Sequence, residues 1–316
     1  MVSPLTFARR SAAAGAVIWV LLLLAHSSDA PETELIHRVA LFAIFVIVPL
    51  GLAVAGAHPG SMRLYQLVVL VQPFAALATA ASFFVAPGLR AGLLASAWLV
   101  LTGLVALLGV TRVFARGAYP LHELSIDAGL LYLPIAAGWL VIYRLGVQPF
   151  DYGETIILLT VVHFHFAGFA APIIAGANGR VLATRKYPQF IFRVAVFAIV
   201  VAMPLVAAGI TFMPLLGLIG TLVLSIGLGL LAVLTLGWVI PVVGPTGKRL
   251  LLAIAALSSC AAMVLACLYS YSLVAKILIL DIPTMAMTHG LLNAFGFATC
   301  SLLVWSRQQS NLKSQG

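Results

Sequence analysis

The sequence predicts an all-α fold, a polytopic transmembrane helical bundle of about ten spans with both termini in the cytoplasm. Of the 316 residues, 63% are hydrophobic and 8% are charged, whereas a soluble domain carries roughly a quarter charged residues. Apolar runs of about twenty residues recur along the whole chain, and a run of that length crosses a bilayer as a helix. The alternating apolar and polar pattern of a transmembrane β-barrel is absent from the sequence.

Short connections that contain Pro or Gly, such as HPGSMR and VVGPTGKR, separate the apolar runs. These connections are too short to form a soluble domain. The sequence therefore predicts a single transmembrane domain over 11–306, between a cytoplasmic tail at 1–10 and another at 307–316. The predicted helices are 11–27, 35–57, 64–86, 91–114, 121–144, 154–177, 189–211, 213–239, 249–274 and 284–305.

The first of these helices resembles a signal peptide, because a basic start precedes an apolar centre and small residues follow it. Cleavage after Ala30 would leave Pro31 next to the cut, which is unfavourable for cleavage. We therefore expect this helix to be retained in the protein.

Basic residues set the expected orientation. The net charge of +9 would suggest nucleic acid on a soluble chain, but cationic loops orient a membrane protein. We therefore expect the lipid bilayer as a partner and no nucleic acid. With the N-terminus inside, 12 of the 17 lysines and arginines fall on the cytoplasmic side, which also predicts a cytoplasmic C-terminus. These are Arg9, Arg10, Arg63, Arg112, Arg116, Arg180, Arg185, Lys186, Lys248, Arg249, Arg307 and Lys313.

The fifth helix carries two carboxylates at helical spacing. Glu123 and Asp127 are four residues apart, so they share a face. Two ionised carboxylates at that spacing repel each other, so one would keep its proton or both would need a cation nearby. Glu123 could alternatively cap the helix at the cytoplasmic rim. Asp127 lies one turn deeper, where a carboxylate is costly and usually lines a cavity or meets a partner.

The sixth helix carries His163 and His165 near the middle of an apolar run. Residues two apart lie about 200° apart on an α-helix, so the two rings predict two environments unless the helix is distorted. His165 shares a face with Glu154, eleven residues earlier. Each ring is either a functional group or a histidine whose N–H group satisfies a neighbouring carbonyl.

The tenth helix places His289 and Asn293 on one face. Asn is also a common packing residue between membrane helices. By depth, His289 lies in the outer third, the helix-six imidazoles and Asn293 lie nearer the middle, and Asp127 lies toward the inner side. A ladder of this kind suits proton movement, whereas a compact cluster would suit a metal or general-acid chemistry.

Zn²⁺ or iron is the cofactor that such a cluster would hold, because imidazole and carboxylate groups ligate these metals. The candidate ligands are His163, His165, Asp127 and His289. No P-loop, no GxGxxG motif in a nucleotide-binding context and no HExxH motif occurs in the sequence, so ATP-driven transport by this chain alone is not expected.

Three segments, HELSIDAGLLYLPIAAGW, VVHFHFAGFAAPIIAG and THGLLNAFGF, together resemble the YndJ family of bacterial membrane proteins over residues 10–306. The HFHxAGF part is the most specific. The resemblance implies a multi-pass fold in the bacterial inner membrane. It also implies that Glu123, Asp127, His163, His165, His289 and Asn293 belong to the shared pattern of the family, but it supplies neither a substrate nor a reaction.

The polar residues lead to three functional hypotheses. The first is a proton-linked transporter or permease for a small or lipophilic substrate, with Asp127 as the main proton carrier and Glu123 as its cytoplasmic relay. In it, His163 or His165 carries protons across the middle, and Asn293, His289 and Glu154 line the pathway. The second is an intramembrane enzyme that acts on a lipid or isoprenoid through a carboxyl general acid or a metal. The third is a non-catalytic membrane scaffold.

Overall fold

A computed structural model describes residues 3–25 and 31–312. These residues are helical apart from short connections and contain no strand, and ten helices are long and apolar enough to cross a membrane. The prediction of an all-α protein with ten spans is confirmed. The Ala30 cleavage point lies outside the described residues. The ten helices are α1 (Pro4–Leu24), α2 (Thr33–Ala55), α3 (Met62–Ser82), α4 (Leu89–Arg116), α5 (Leu121–Leu145), α6 (Glu154–Leu182), α7 (Gln189–Phe212), α8 (Pro214–Val242), α9 (Thr246–Ala275) and α10 (Ile282–Gln308).

The chain divides into two compact units. Unit 1 comprises Met1–Ala118 and Asp127–Ala170, and unit 2 comprises Tyr119–Ile126 and Ala171–Gly316. Unit 1 therefore holds α1 to α4, most of α5 and the first part of α6. Unit 2 holds the first turn of α5, the rest of α6 and α7 to α10. The prediction of one transmembrane domain over 11–306 stays a prediction.

Within unit 1, α2 forms the centre of the core. In the most apolar stretch of α2, 94% of the residues are buried, whereas only 17% are buried in the corresponding stretch of α1. The run from Val39 to Ala55 contains no charged residue, so it can pack on all sides. α1 instead keeps large apolar side chains such as Leu21 and Leu24 exposed, as expected of a helix that faces lipid.

Five π-helical segments interrupt the α-helices of the described residues. A π-helical turn accommodates one extra residue, shifts the side chains that follow and often marks a functional position. Two of the five lie in α10 around His289 and Asn293, and one begins directly after His163. The segments are Ala43–Ile47, Phe164–Ala170, Thr235–Val239, Ala286–Gly290 and Leu292–Thr299.

Polar side chains in unit 1 satisfy backbone carbonyls that the helices leave exposed. The Gln72 side-chain amide donates to the carbonyl of Ile44, in the π-helical segment of α2, at 3.0 Å. Arg144 donates to the carbonyls of Ser82 and Val85 at 2.8 and 2.5 Å, where α3 ends. A cation at the C-terminal end of a helix also interacts favourably with the helix dipole. These bonds explain why Gln72 and Arg144 are buried.

Gly176 determines how closely α6 approaches the first turn of α5 within unit 2. A Cβ atom built on Gly176 would lie 2.4 Å from the carbonyl oxygen of His122 and 2.4 Å from Cγ1 of Ile126. Small residues allow this kind of approach between membrane helices. Gly229 on α8 has no atom within 4 Å of such a Cβ position, so it provides a matched control.

We expect Gly176→Ala to destabilise the protein by about 1–3 kcal/mol, because the added methyl group overpacks a filled contact. Gly229→Ala is expected to leave stability unchanged or to raise it slightly, since Ala favours the helix over Gly. Apparent melting temperatures of the two variants in detergent measure the difference. Equal melting temperatures would show that the contact at Gly176 is not tight.

Candidate functional site

Asp127 forms the centre of the candidate site in unit 1. Its side chain is 0% exposed. Oδ1 accepts a hydrogen bond from Nε of Arg112 at 2.5 Å, and Oδ2 accepts one from Nη2 of Arg116 at 2.7 Å. Each oxygen thus has its own guanidinium donor. Because both oxygens act as acceptors, Asp127 has the bonding pattern of an ionised carboxylate.

The two arginines lie on one face of α4 because they are four residues apart. Arg112 is also buried, and its Nη1 donates to the carbonyls of Ala55 and Gly56 at 3.1 and 3.0 Å. These carbonyls end α2, where a helix has no partner of its own for its last C=O groups. Arg112 therefore links the ends of α2 and α4 to α5.

Gly109 allows α4 to approach α5 at this point. It precedes Arg112 by nearly one turn, and a Cβ atom on it would lie 3.1 Å from the carbonyl oxygen of Asp127 and 3.1 Å from Cβ of Leu130. A larger residue would push the helices apart and draw the guanidinium groups away from the carboxylate. The sequence alone identifies Arg112 and Arg116 only as charges on the cytoplasmic side. Their spacing of four beside a buried acid is the signal that could have identified them.

Glu123 has a separate cationic partner within unit 2. Arg180 donates from Nε to Oε1 at 2.5 Å and from Nη2 to Oε2 at 2.9 Å, which is the bidentate geometry that favours arginine. Nε2 of His122 lies 3.9 Å from Oε1. Glu123 and Arg180 are both half-buried, so this pair meets water more readily than the pair at Asp127. Two carboxylates four residues apart are thus each matched by guanidinium groups.

His165 is fully buried in unit 1, and both of its ring nitrogens have partners. Nδ1–H donates to the carbonyl of Val161 at 2.8 Å, and Nε1–H of Trp98 donates to Nε2 at 3.1 Å. The two rings stack at a centroid distance of 6.1 Å. Since Nε2 accepts a hydrogen bond, it carries no proton, and the ring is neutral with its proton on Nδ1.

His163 lies in a different environment from His165. Its ring is half-buried, and Nδ1–H donates to the carbonyl of Leu159 at 2.6 Å. The π-helical segment Phe164–Ala170 begins at the next residue, so α6 is distorted here. Glu154, in contrast, is exposed in the first turn of α6. About 16 Å of helix rise separates it from His165, which places the two residues too far apart for direct contact.

His289 and Asn293 contact each other in unit 2. Nδ1–H of His289 donates to the carbonyl of Ala262 on α9 at 2.8 Å. The Asn293 amide lies 3.0 Å from the carbonyl oxygen of His289 and 3.2 Å from its Nε2. Both side chains are half-buried, and both lie in π-helical segments. This cluster can exchange hydrogen bonds with a polar ligand, because both side chains remain partly exposed.

The structure does not assemble the candidate metal ligands into a metal site. Within residues 3–25 and 31–312, no group of three His, Cys, Asp or Glu side chains could hold a metal ion. The carboxylate of Asp127 is occupied by guanidinium groups, and both ring nitrogens of His165 are hydrogen-bonded. The residues present do not fit a Zn²⁺ or iron site in this arrangement.

A second polar cluster in unit 1 was not foreseen from the sequence. Nε2 of His37 lies 2.7 Å from the hydroxyl of Tyr143, and the His37 ring also contacts Phe83 edge-on at 5.2 Å. His37, Glu34 and Arg38 line a small cavity of about 20 Å³, which is large enough for one water molecule. His37 follows two large apolar residues and belongs to no motif, so the sequence offers no specific signal for it.

Comparisons with known proteins give one family. The model of the YndJ-like proteins matches residues 38–297. The chain is 28% identical over 286 residues to "Uncharacterized membrane protein YndJ" of Bacillus subtilis (strain 168), and the alignment covers 88% of this chain and 50% of that protein. The chain thus spans about half the length of the curated relative it matches. No solved structure matches the chain.

Removal of the charge at Asp127 is expected to destabilise the protein strongly. Asp127→Asn leaves Arg112 and Arg116 without their carboxylate, and breaking a buried pair in this way costs about 3–5 kcal/mol. The more accessible pair at Glu123 gives the control, because Glu123→Gln is expected to cost about 1 kcal/mol or less. Melting temperatures in detergent measure both effects, and similar losses for the two variants would contradict the difference in burial.

The hydrogen bond from Trp98 is expected to hold His165 in one tautomer. A ¹⁵N spectrum of histidine-labelled protein should show His165 protonated on Nδ1 alone, with the signal identified by its loss in His165→Gln. Trp98→Phe removes the donor to a buried acceptor, which costs about 1–3 kcal/mol. The double variant Trp98→Phe/His165→Leu should recover part of that loss. Protonation of His165 on Nε2 would contradict the assignment.

Proposed function

This chain belongs to the YndJ-like protein family, and for this multi-pass membrane protein we propose a proton-linked transporter or permease function. We place it in the bacterial inner membrane with both termini in the cytoplasm, because most of its basic residues then lie on the cytoplasmic side. Its substrate is a small or lipophilic molecule. The observation that carries the proposal is the charge network of Asp127, Arg112 and Arg116 inside unit 1.

A buried charge network needs a reason beyond packing. Moving a carboxylate and guanidinium groups out of water costs several kcal/mol per ion, and well-packed apolar side chains often stabilise as much or more. Ionisable residues within membrane segments therefore usually belong to a transport path, a proton relay or a ligand site. Asp127, fully buried with one guanidinium on each oxygen, is the residue of this chain to which that argument applies most directly.

The network links proton binding to the position of α4. While Arg112 and Arg116 contact Asp127, both carboxylate oxygens accept hydrogen bonds and neither carries a proton. If α4 moves away from α5, an isolated carboxylate among apolar side chains favours its neutral form. Since a proton on one oxygen displaces the guanidinium donor there, proton binding and the full contact with both arginines exclude each other. A proton gradient acting on Asp127 would then drive α4 from α5, and movement of α4 would in turn release the proton.

Other polar residues have supporting roles in this proposal. Glu123 is the cytoplasmic relay, because its half-buried pair with Arg180 can open to water at little cost. Between His163 and His165, we favour His163 as the proton-exchanging ring, since His165 would first have to separate from Trp98. His289 and Asn293 line the outer part of the pathway. Glu154 lies at its exposed entrance in the first turn of α6.

A membrane scaffold is the second candidate, and the hydrogen bonds of His165 favour it. Both ring nitrogens are satisfied by Trp98 and Val161, as in a histidine that serves packing alone. In a scaffold, single substitutions change stability and no activity. The hypothesis of an enzyme that acts on a lipid or isoprenoid has no comparable observation in its favour, because Asp127 cannot donate a proton while its oxygens accept from arginine.

Proton coupling is tested with purified protein in liposomes that enclose a pH-sensitive dye. Solutes of different chemical classes, including amino acids, sugars, carboxylates and amphiphiles, are added one at a time. We expect at least one of them to acidify the interior in wild type. Asp127→Asn should abolish this acidification, because its amide cannot carry the proton. Exchange of the same labelled solute at equal concentrations should persist, since exchange needs no net proton movement.

Asp151→Asn is the control, because Asp151 is an exposed acid in the loop before α6 and its loss should not affect flux. All variants are compared per folded molecule, since Asp127→Asn is also expected to be less stable. Solute-driven acidification that survives in Asp127→Asn would refute proton carriage by this residue. A wild type that moves no solute, with variants that differ only in stability, would favour the scaffold.

A further inference from the structure

A groove in unit 1 lies apart from the charge network. It has a volume of about 420 Å³ and is bounded by α1, by the π-helical segment of α2 and by α3. Phe7, Ala14, Ile18, Phe45 and Leu77 supply most of its apolar wall. Gly15 allows α1 to lie against α2 there, because a Cβ atom on it would come within 2.2 Å of the Phe45 carbonyl oxygen. The proposed transport function makes no use of this groove.

The polar groups in the wall of the groove are already bonded to each other. Ser11 Oγ donates to Oε1 of Gln72 at 2.7 Å, and Nε2 of Gln72 donates to the carbonyl of Ile44 at 3.0 Å. These bonds use the hydroxyl proton of Ser11 and the amide oxygen of Gln72. Apart from Arg10, the remaining side chains that line the groove are apolar, which suits an acyl chain better than a polar solute.

One end of the groove is positively charged. Arg10 lines it and is exposed, and none of the lining residues is acidic. Arg9 directly precedes Arg10 on α1, and Arg63 is exposed at the start of α3. Since α1 and α3 pack against each other and are joined by the bond from Ser11 to Gln72, these basic residues belong to two neighbouring helices. Basic pockets between transmembrane helices bind anionic lipid headgroups.

We propose that this groove binds one anionic phospholipid of the surrounding bilayer. The phosphate of the headgroup contacts the guanidinium of Arg10, and one acyl chain lies along the apolar wall toward Ile18 and Leu77. The charge of Arg10 selects anionic over zwitterionic lipid, and the apolar wall selects a lipid over a free phosphate. The site is independent of Asp127, so failure of the proton-coupling proposal would not affect it.

The test measures lipid binding to the full chain in detergent by native mass spectrometry. Phosphatidylglycerol should bind about five-fold more tightly than phosphatidylcholine, and Arg10→Gln should remove this preference. A five-fold change corresponds to ~1 kcal/mol, which is the contribution of one basic residue near the headgroups. Arg185→Gln removes an exposed cation in unit 2 and should leave the preference unchanged. Glycerol 3-phosphate, which has the anion and no acyl chain, should not bind.

Filling the groove provides the second arm. Ala14→Phe should abolish tight binding of phosphatidylglycerol, because the new ring occupies the space of the acyl chain. Ala13→Phe is the matched control, since Ala13 is exposed on the same helix and does not line the groove, and it should bind as wild type does. Leu77→Phe repeats the test from α3, and the elution profile and melting temperature of each variant confirm that it is folded.

Three results would overturn the proposal. Equal binding of phosphatidylglycerol and phosphatidylcholine would remove the role of Arg10. Equal binding by Ala14→Phe and Ala13→Phe, in folded protein, would show that the lipid lies elsewhere. Binding of glycerol 3-phosphate as tight as that of phosphatidylglycerol would identify an anion site in place of a lipid groove.

Discussion

The guanidinium group of Arg112 makes three hydrogen bonds at once, to Asp127 on α5 and to the two carbonyls that end α2. In the membrane interior a charged or polar group without a partner costs several kcal/mol. A single side chain that satisfies a buried carboxylate and a helix end therefore constrains three helices together. The position of Gly109 follows from this constraint, because the guanidinium reaches Asp127 only where α4 and α5 lie close.

The number of helices is well predicted from the sequence. Bilayer thickness sets the length of the apolar run that each spanning helix needs, so runs of that length can be counted. The predicted start of α6 at residue 154 and of α7 at residue 189 coincide with the observed starts. α1 instead begins at Pro4, seven residues before its predicted start, because the pair Arg9 and Arg10 continues the helix beyond the apolar run. Charge counts locate such residues relative to a membrane. They do not reveal that the helix extends through them.

The partners of the site residues are harder to predict than the residues themselves. Asp127 and the imidazoles of α6 are conspicuous because ionisable groups are rare in apolar runs. Arg112 and Trp98 are not, since an arginine near a loop and a tryptophan in a membrane helix are both common. Helical spacing also fails at the π-helical segments, because one added residue turns every following side chain. The arrangement around His165 therefore depends on tertiary packing, which the helical periodicity of one chain does not specify.

The polar groups of this protein fall into two physical classes, and the contrast between them bears on function. Gln72 and His165 are neutral, and their hydrogen bonds join helices at moderate cost. A bundle needs only groups of this kind to fix its packing. Asp127 and its arginines are ionised, so the same task is carried out with charges whose desolvation is far more expensive. A carboxylate between arginines can exist in two states, one ionised and paired with the arginines and one protonated and released from them. The proposed transport function requires the second state and would account for the use of charges at this position.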